Sequence, residues 1–266
     1  MKKRFFSSLA MTPFLLFIYW GGPALWVLAL IVSIIGIYEF CNGWNKIDVH
    51  PSKSICYVMT MLLFLTSILL SSSNSAIYAD NIIGPWLFIG VATSLIFGWR
   101  VNKRGPYDSI VTITTLVYIP FFAYHMILID TLRHPFIWIV IIAALGSDIF
   151  AYFTGHLFGK HKIAPHLSPK KTIEGAIGGV IGSSLASWLF GYLFIEKMAL
   201  ICLLLGFVGG IAGIAGDFTA SAFKRKMGIK DYSNLIPGHG GIMDRFDSVL
   251  FTAPVIYYLM RIILLV

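Results

Sequence analysis

Long apolar stretches separated by short polar segments make up most of the chain. A helix needs about 20 mostly apolar residues to cross the hydrocarbon core of a bilayer. Nine stretches are candidates, at roughly 5–21, 23–42, 55–72, 77–99, 109–130, 134–154, 173–194, 198–218 and 248–265. The pattern predicts an all-α, polytopic membrane protein with about nine transmembrane helices. Because only Gly21-Gly22-Pro23 divides the first two stretches, one broken or re-entrant segment, and hence eight helices, is the alternative.

The composition supports a membrane protein. The chain is 58% hydrophobic and only 12% charged, whereas a soluble domain carries about 25% charged residues. One globular core cannot hold so many apolar side chains, so lipid must cover much of the surface. We interpret residues 1–266 as a single integral membrane domain. Its helices in 1–130 are less diagnostic, and 134–266 contains the candidate catalytic helices and loops.

The distribution of basic residues predicts the orientation of the helices. With the N-terminus in the cytoplasm and nine spans, all but three of the 20 Lys and Arg residues fall on the cytoplasmic side, the three being Arg133, Lys197 and Arg261. The net charge of +8 also suits an anionic substrate. No basic amphipathic helix or finger motif accompanies it, so nucleic acid is not an expected partner. The compact length, without a transit segment, favours a bacterial inner membrane.

Two predicted cytoplasmic segments, 155–172 and 219–247, are longer and more polar than the other connections. Function is concentrated on such loops when a rigid scaffold positions them. Glycines recur every three or four residues in the seventh and eighth predicted helices, and this spacing lets helices approach closely in lipid. Packing of these two helices would bring the two segments together. The same glycines suit a homodimer contact equally well.

Acidic residues in or near apolar stretches are candidate site residues. Asp148 lies towards the cytoplasmic end of the sixth predicted helix, and Asp217 ends the eighth. A carboxylate at membrane depth costs a few kcal/mol unless it is paired or ligates a cation. The alternatives to a functional role are a carboxylate that snorkels to water and one that pairs with a nearby Lys. We assign Glu39, Asp48 and Asp108 to loops or interfaces.

The segment 221–247 combines three features that suit a metal–triphosphate complex. The first is a basic cluster, which comprises Lys224, Arg225, Lys226 and Lys230. The second is the turn 237–241, whose glycines allow close approach of a bulky anion. The third is Asp244-Arg245-Phe246-Asp247, two carboxylates on one helix face. Mg²⁺ binds one or two carboxylates together with phosphate and water, and Lys and Arg offset the remaining phosphate charge.

This segment resembles the signature of the phosphatidate cytidylyltransferase family. The fixed positions of that signature are met by Ser221, Lys224, Arg225, Lys230, Asp231, His239, Gly240, Gly241, Asp244, Arg245 and Asp247. A second stretch, 168–175, is similar to another that is typical of the family, and Asp217 matches its other metal-binding acidic position. The length and the multi-helix layout also fit, whereas the N-terminal half is not diagnostic.

The resemblance implies that CTP and phosphatidic acid react to give CDP-diacylglycerol and pyrophosphate at the cytoplasmic face. This reaction is the first committed step of CDP-diacylglycerol-dependent phospholipid synthesis. The resemblance also implies a requirement for Mg²⁺. Asp217 and Asp244 would bind one or two cations, with the help of Asp148 and Asp247. The phosphates are assigned to Lys224, Arg225, Lys230 and Arg245, and the lipid head group to Ser168, Lys170 and Lys171. Ser221, Gly240 and Gly241 complete the expected substrate site. His239 is either a phosphate contact or a structural residue of the turn, and Glu174 is assigned to the helix N-terminus.

Three other functions are less well supported by the sequence. A transporter or channel would place polar residues near the bilayer midplane on several helices, whereas here they gather at the cytoplasmic ends. A polyprenol kinase or an archaeol-phosphate cytidylyltransferase shares the signature only in looser form. A phosphatidyl transferase that uses CDP-diacylglycerol is disfavoured because the chain contains no Asp-Gly-x-x-Ala-Arg stretch.

Overall fold

The structure, a computed structural model, describes residues 12–71, 76–99, 105–235 and 240–264. Within these residues the chain forms helices and one β-hairpin. The helices are α1 (Thr12–Trp20), α2 (Gly22–Asn45), α3 (Lys53–Ser71), α4 (Ala76–Phe97), α5 (Pro106–Leu116), α6 (Phe122–Arg133), α7 (Ile137–Phe158), α8 (Ile173–Phe194), α9 (Ala199–Lys226) and α10 (Met243–Leu264). A π-helical turn at Val117–Phe121 joins α5 to α6, and a 3₁₀ turn at His134–Phe136 joins α6 to α7. The hairpin consists of β1 (Lys162–Ala164) and β2 (Ser168–Thr172).

The predicted all-α membrane class is confirmed. Among the described residues, five helical stretches are long and apolar enough to cross a bilayer, at Gly22–Asn45, Pro106–Phe158, Ile173–Phe194, Ala199–Lys226 and Met243–Leu264. Shorter apolar helices, Lys53–Leu69 and Asn81–Phe97, coincide with the third and fourth predicted spans. The count of nine stays a prediction, since the first predicted span, 5–21, is described only from residue 12.

A sharp turn separates the first two helices. Gly21 has a φ of +59°, a left-handed conformation that favours glycine. The backbone N–H of Gly22 donates to Asp130 Oδ2 at 2.7 Å, which satisfies one of the free donors at the start of α2. The chain therefore forms two distinct helices here and not one continuous one.

Two predicted boundaries were wrong, and both lie in the segments expected to carry function. The segment 155–172 is not simply a loop, because α7 continues to Phe158 and the hairpin follows, with Lys162 paired to Thr172 and Ala164 to Ser168. The eighth predicted helix does not end at 218, since α9 continues to Lys226. Residues 219–226 are rich in Ala, Lys and Arg, which favour helix even where the apolar pattern stops. Asp217 and the first three members of the basic cluster therefore lie on one helix.

The chain divides into two compact units. The first unit comprises residues 1–132 and 227–245, and the second comprises 133–226 and 246–266. Residues at the start of α10 thus belong to the first unit, and its longer remainder belongs to the second. The interpretation of 1–266 as a single domain stays a prediction.

Aromatic side chains fill much of the core of the first unit. Phe40 is fully buried, and its ring lies 5.8 Å from that of Tyr118 and 6.0 Å from that of Tyr232, measured between centroids. The Trp86 indole N–H donates to the carbonyl of Met59 at 2.6 Å. Tyr232 belongs to the signature segment, so the residues that precede α10 are packed onto the same core as α2.

Small residues bring the helices of the second unit together. A Cβ added at Gly179 of α8 would lie 2.6 Å from the carbonyl oxygen of Ser147 on α7. On another face of α8, Ser183 Oγ donates to the Gly206 carbonyl at 3.3 Å and Ser184 Oγ to the Leu203 carbonyl at 2.8 Å, both on α9. The expected packing of the seventh and eighth helices is confirmed. The glycines within residues 175–182 of α8, however, lie against α7. Ser183 and Ser184 bond to α9, and Gly191 near the end of α8 also lies against α9.

Candidate active site

The predicted site residues fall into two groups, one in each unit. The second unit contains Asp148, Ser168, Lys170, Lys171, Asp217, Ser221, Lys224, Arg225 and Asp247. The first unit contains Lys230, Asp231, Gly240, Gly241, Asp244 and Arg245. His239 lies outside the described residues. A metal site shared by Asp217 and Asp244 would join residues of both units, and it stays a prediction.

Lys171 connects three elements of the second unit. It lies in β2, and its ammonium pairs with Asp217 Oδ2 on α9 and lies 3.8 Å from Asp148 Oδ1 on α7. The ammonium also lies 5.1 Å from the centroid of the Phe218 ring, within cation–π range. The carboxylates of Asp148 and Asp217 therefore converge on one positive charge, as the pairing alternative anticipated.

Asp247 is the third carboxylate of this group. Its side chain is buried, with 7% of the residue exposed, and Oδ1 accepts the Ser248 N–H at 2.8 Å. A Cβ at Gly216 would lie 2.7 Å from the Asp247 carbonyl, so a glycine one position before Asp217 allows the close contact between the helices. Asp247 thus lies beside the stretch of α9 that carries Asp217, and Asp217 shares Lys171 with Asp148.

The basic residues at the end of α9 continue this group. Lys224, Arg225 and Lys226 occupy the last turn, where cations interact favourably with the helix dipole. The spacing of Asp217, Ser221 and Lys224 places them along one helix face. An anion bound beside Asp217 could therefore contact hydroxyl and ammonium groups of the same helix.

A cavity of about 560 Å³ opens between α7, the hairpin and the start of α8. Its polar lining includes Asp148, Lys162, Ser168, Lys170 and Lys171, with His156 and Tyr152 beside them. Three of these, Ser168, Lys170 and Lys171, are the residues assigned to the lipid head group. Lys162 was not predicted, because the pairing of β1 with β2 cannot be read from an 18-residue polar segment. His156 and Tyr152 of α7 were also not predicted.

The hairpin is anchored where α8 begins. The Thr172 side chain accepts the Gly175 N–H at 3.1 Å, as an N-cap does. Glu174 accepts the backbone N–H of Lys160 at 3.0 Å and approaches His161 Nδ1 to 2.6 Å with Oε1. The predicted position of Glu174 in the first turn is confirmed. It also ties the chain entering β1 to the helix, which sequence reasoning missed.

Asp244 organises the group in the first unit. Its Oδ2 accepts the backbone N–H of Tyr232 at 2.8 Å and that of Gly241 at 2.9 Å. Gly240 has a φ of +85°, and a Cβ there would lie 2.8 Å from Asp244 Oδ2. The Gly241 N–H is thus committed to Asp244 in this structure, so its role as a substrate contact stays a prediction.

Arg245 has a polar atom with no protein partner. Its Nε is buried and makes no hydrogen bond within the part of the chain that the structure describes. A buried donor without a partner is destabilising by roughly 1–3 kcal/mol. A phosphate oxygen would satisfy it, which fits the assignment of Arg245 to phosphate binding.

Glu39 is the main residue that sequence reasoning missed. It was expected as a loop or interface charge, but it lies inside α2 and is 2% exposed. Its carboxylate accepts hydrogen bonds from Ser233 Oγ, the Ile242 N–H and the Met243 N–H. The signal that could have found it is the one applied to Asp148, a carboxylate within an apolar span.

The donor chemistry of the second unit suits a hard divalent cation. Within the described residues, no three His, Cys, Asp or Glu side chains form a group that could hold a metal ion by themselves. Mg²⁺ in phosphoryl-transfer enzymes, however, usually takes one or two carboxylates and completes its shell with substrate phosphates and water. Asp148 and Asp217, which already face a single positive charge, fit such a site.

Comparison with known proteins places these residues in context. The sequence pattern of the cytidylyltransferase family matches residues 2–263. The phosphatidate cytidylyltransferase of Aquifex aeolicus is 39% identical over 184 residues, 69% of this chain and 67% of the relative. That of Staphylococcus haemolyticus is 30% identical over 264 residues, 98% of this chain and 99% of the relative. The Escherichia coli protein YnbB is 30% identical over 248 residues, 87% of this chain and 77% of the relative.

Proposed function

The chain belongs to the cytidylyltransferase family, and on that premise we propose that it joins CTP to phosphatidic acid to form CDP-diacylglycerol and pyrophosphate. The observation that carries the proposal is the clustering of carboxylates and cations from α7, α9 and the hairpin beside one cavity. The protein is an integral membrane protein, and it has bacterial relatives.

The reaction exchanges one phosphoanhydride bond for another. A phosphate oxygen of phosphatidic acid attacks the α-phosphorus of CTP. The bond from that phosphorus to the β-phosphate bridging oxygen breaks, and pyrophosphate leaves with its electron pair. No protein nucleophile is required, so the protein acts by positioning the two phosphates and neutralising their charge.

The polar groups of the cavity are suited to hold the lipid phosphate. Ser168 supplies a hydroxyl, and Lys162 and Lys170 supply ammonium groups. Exposed apolar side chains lie on the flanking elements, with Tyr152 70% and Phe158 66% exposed. Apolar side chains of this kind can face acyl chains at little energetic cost. The head group of the lipid can therefore enter the cavity while the acyl chains stay in the bilayer.

Asp148 and Asp217 of the second unit, and Asp244 of the first, are proposed to hold one or two divalent cations, which would supply charge neutralisation for the phosphates when bound. Lys171, which pairs with Asp148 and Asp217 in their present arrangement, would then be released towards a phosphate oxygen. Asp247 is proposed to act on the same cation directly or through water. Lys224 and Arg225 in the second unit, and Lys230 and Arg245 in the first, are proposed to bind the triphosphate.

The cytoplasmic face of the bacterial inner membrane is the proposed location of the site. The positive-inside distribution supports this orientation, and CTP is a cytosolic substrate. A homodimer stays a prediction. Gly179 and Gly206, which suggested it, already serve contacts within the second unit.

The decisive experiment follows two labels from CTP. The purified protein is incubated with Mg²⁺, phosphatidic acid and CTP labelled at either the α- or the γ-phosphate. We expect the α label in a lipid and the γ label only in pyrophosphate. Transfer of the γ label to lipid would identify a kinase, and no labelled lipid from either form would reject the proposal. Asp217→Asn serves as the inactive control.

A further inference from the structure

Glu39 makes contacts that are unusual for a glutamate in an apolar helix. Oε1 accepts Ser233 Oγ at 2.5 Å and the Ile242 N–H at 3.1 Å, and Oε2 accepts the Met243 N–H at 2.9 Å. The Ile242 and Met243 groups lie where α10 begins, so their N–H donors have no partner within the helix. A residue just over 200 positions earlier in the chain thus satisfies donors that a local cap normally satisfies.

The backbone around these donors is shaped to receive the carboxylate. A Cβ at Gly241 would lie 2.5 Å from both Glu39 oxygens, closer than real Cβ atoms approach oxygen. Gly241 is therefore a glycine because Glu39 packs against it. The same Gly241 donates its N–H to Asp244 Oδ2. One residue thus touches both carboxylates.

Glu39 and Asp244 together hold the signature segment at residues 232–233 and again at residues 241–243. Asp244 binds the N–H of Tyr232, and Glu39 binds the hydroxyl of the neighbouring Ser233. Both then bind the backbone of residues 241–243. If only the start of α10 needed stabilising, a Ser, Thr or Asp just before Met243 would suffice. The distant carboxylate instead fixes where Asp244 and Arg245 stand relative to the core of the first unit.

We propose that Glu39 is a positioning residue for the nucleotide and cation end of the site, acting through Gly241 and Asp244. This inference rests on the proposed cytidylyl transfer. Glu39 contacts neither substrate. It orders the residues that do, in the way that outer-shell partners orient the ligands of a metal.

The test compares Glu39→Gln with Asp108→Asn. Asp108 is a matched control, because it is buried in the same unit and its two oxygens accept the backbone N–H groups of His50 and Gly105. Both substitutions keep the shape of the side chain and replace one buried acceptor oxygen with an amide NH₂ group. For Glu39→Gln we expect the apparent Mg²⁺ and CTP requirements to rise about 10-fold or more, with the KM for phosphatidic acid within about two-fold of wild type. Asp108→Asn should leave the Mg²⁺ requirement, the CTP requirement and the KM for phosphatidic acid unchanged, even if it lowers thermal stability.

Ser233→Ala keeps the test decisive if Glu39→Gln does not fold. It removes one donor to Glu39 and should shift the Mg²⁺ and CTP requirements in the same direction by a smaller factor. Equal loss for all substrates, or a Ser233→Ala protein that behaves like Asp108→Asn, would overturn the positioning role. Absence of lipid labelling in the wild-type protein would instead reject the proposed function, so the two failures are distinguishable.

Discussion

The ammonium of Lys171 lies against the carboxylate of Asp217, joining the last strand of a hairpin to the middle of a helix 46 positions later. The pair is about three-quarters buried on both sides, with 28% of the Lys171 side chain and 24% of the Asp217 side chain exposed. It connects the cavity assigned to lipid with the helix that carries the basic residues. Four predictions follow from this arrangement and from the elements around it.

Asp217→Asn should abolish turnover while leaving the protein folded. The amide removes one negative charge from the proposed cation site and weakens the hold on Lys171. We expect kcat/KM to fall by about 100-fold or more, the range seen when charge-stabilising groups are removed. Steady-state kinetics with CTP and phosphatidic acid measure it. Glu196→Gln, which alters an exposed carboxylate in the turn before α9, is the control. Activity of Asp217→Asn near that of the control would refute the ligand role.

Lys170→Ala should affect the lipid more than the nucleotide. Lys170 lines the cavity and is exposed, so its removal deletes a charge without disturbing packing. We expect the apparent KM for phosphatidic acid to rise several-fold and the KM for CTP to change little, since surface charges contribute of order 1 kcal/mol. Initial rates at varied lipid mole fraction in mixed micelles give both constants. The opposite pattern would move Lys170 to the nucleotide site, and Lys46→Ala, at an exposed Lys just after α2, is the matched basic control.

Glu174→Ala should loosen the hairpin. Glu174 binds the Lys160 and His161 backbone and the His161 ring, and these bonds hold the chain where it enters β1. Without them, residues 160–172 should be cut faster by trypsin, whose targets there include Lys162 and Lys170. The KM for phosphatidic acid should rise along with the cleavage rate. Unchanged proteolysis would show that β-strand pairing alone fixes the hairpin.

Gly179→Ala should destabilise the second unit. The added Cβ would meet the Ser147 carbonyl at 2.6 Å, and backbone cannot move aside as a side chain can. Overpacking of this kind typically costs about 1–3 kcal/mol, which thermal unfolding in detergent can measure. Gly84→Ala is the control, because nothing lies within 4 Å of a Cβ added there in α4. A protein as stable as that control would contradict the close packing of α7 and α8.

The sequence was informative wherever a pattern was continuous. The apolar runs predicted α2 and α8 to within a few residues of their observed ends, because burial in lipid and helix period leave few alternatives. The end of α9 was missed, since hydropathy falls at Asp217 while helix propensity continues to Lys226. The hairpin was missed because its strands are short, polar and charged. No apolar alternation marks them, and Glu174 anchors the chain just before β1.

Individual residues of the candidate site could be predicted from the sequence, but the contacts between them could not. The signature identified Asp244 and Gly241, and pairing of an intramembrane carboxylate with a Lys was an open alternative for Asp148. No pattern could show that Lys171 would serve two carboxylates at once. Glu39 was passed over because its partners lie about 200 residues away, a separation over which a single sequence carries no contact information.

The hydrogen bonds at the helix starts of the first unit bear on how the protein is assembled during synthesis. The beginning of α2 is capped by Asp130, and that of α10 by Glu39, across separations of 108 and 204 residues. When α2 leaves the ribosome, neither Gly22 nor Glu39 has its eventual partner. Gly22 gains its partner once about half of the chain is translated, whereas the Ile242 and Met243 partners of Glu39 come only with the last tenth. Completion of the signature segment and completion of the first unit are therefore a single late event.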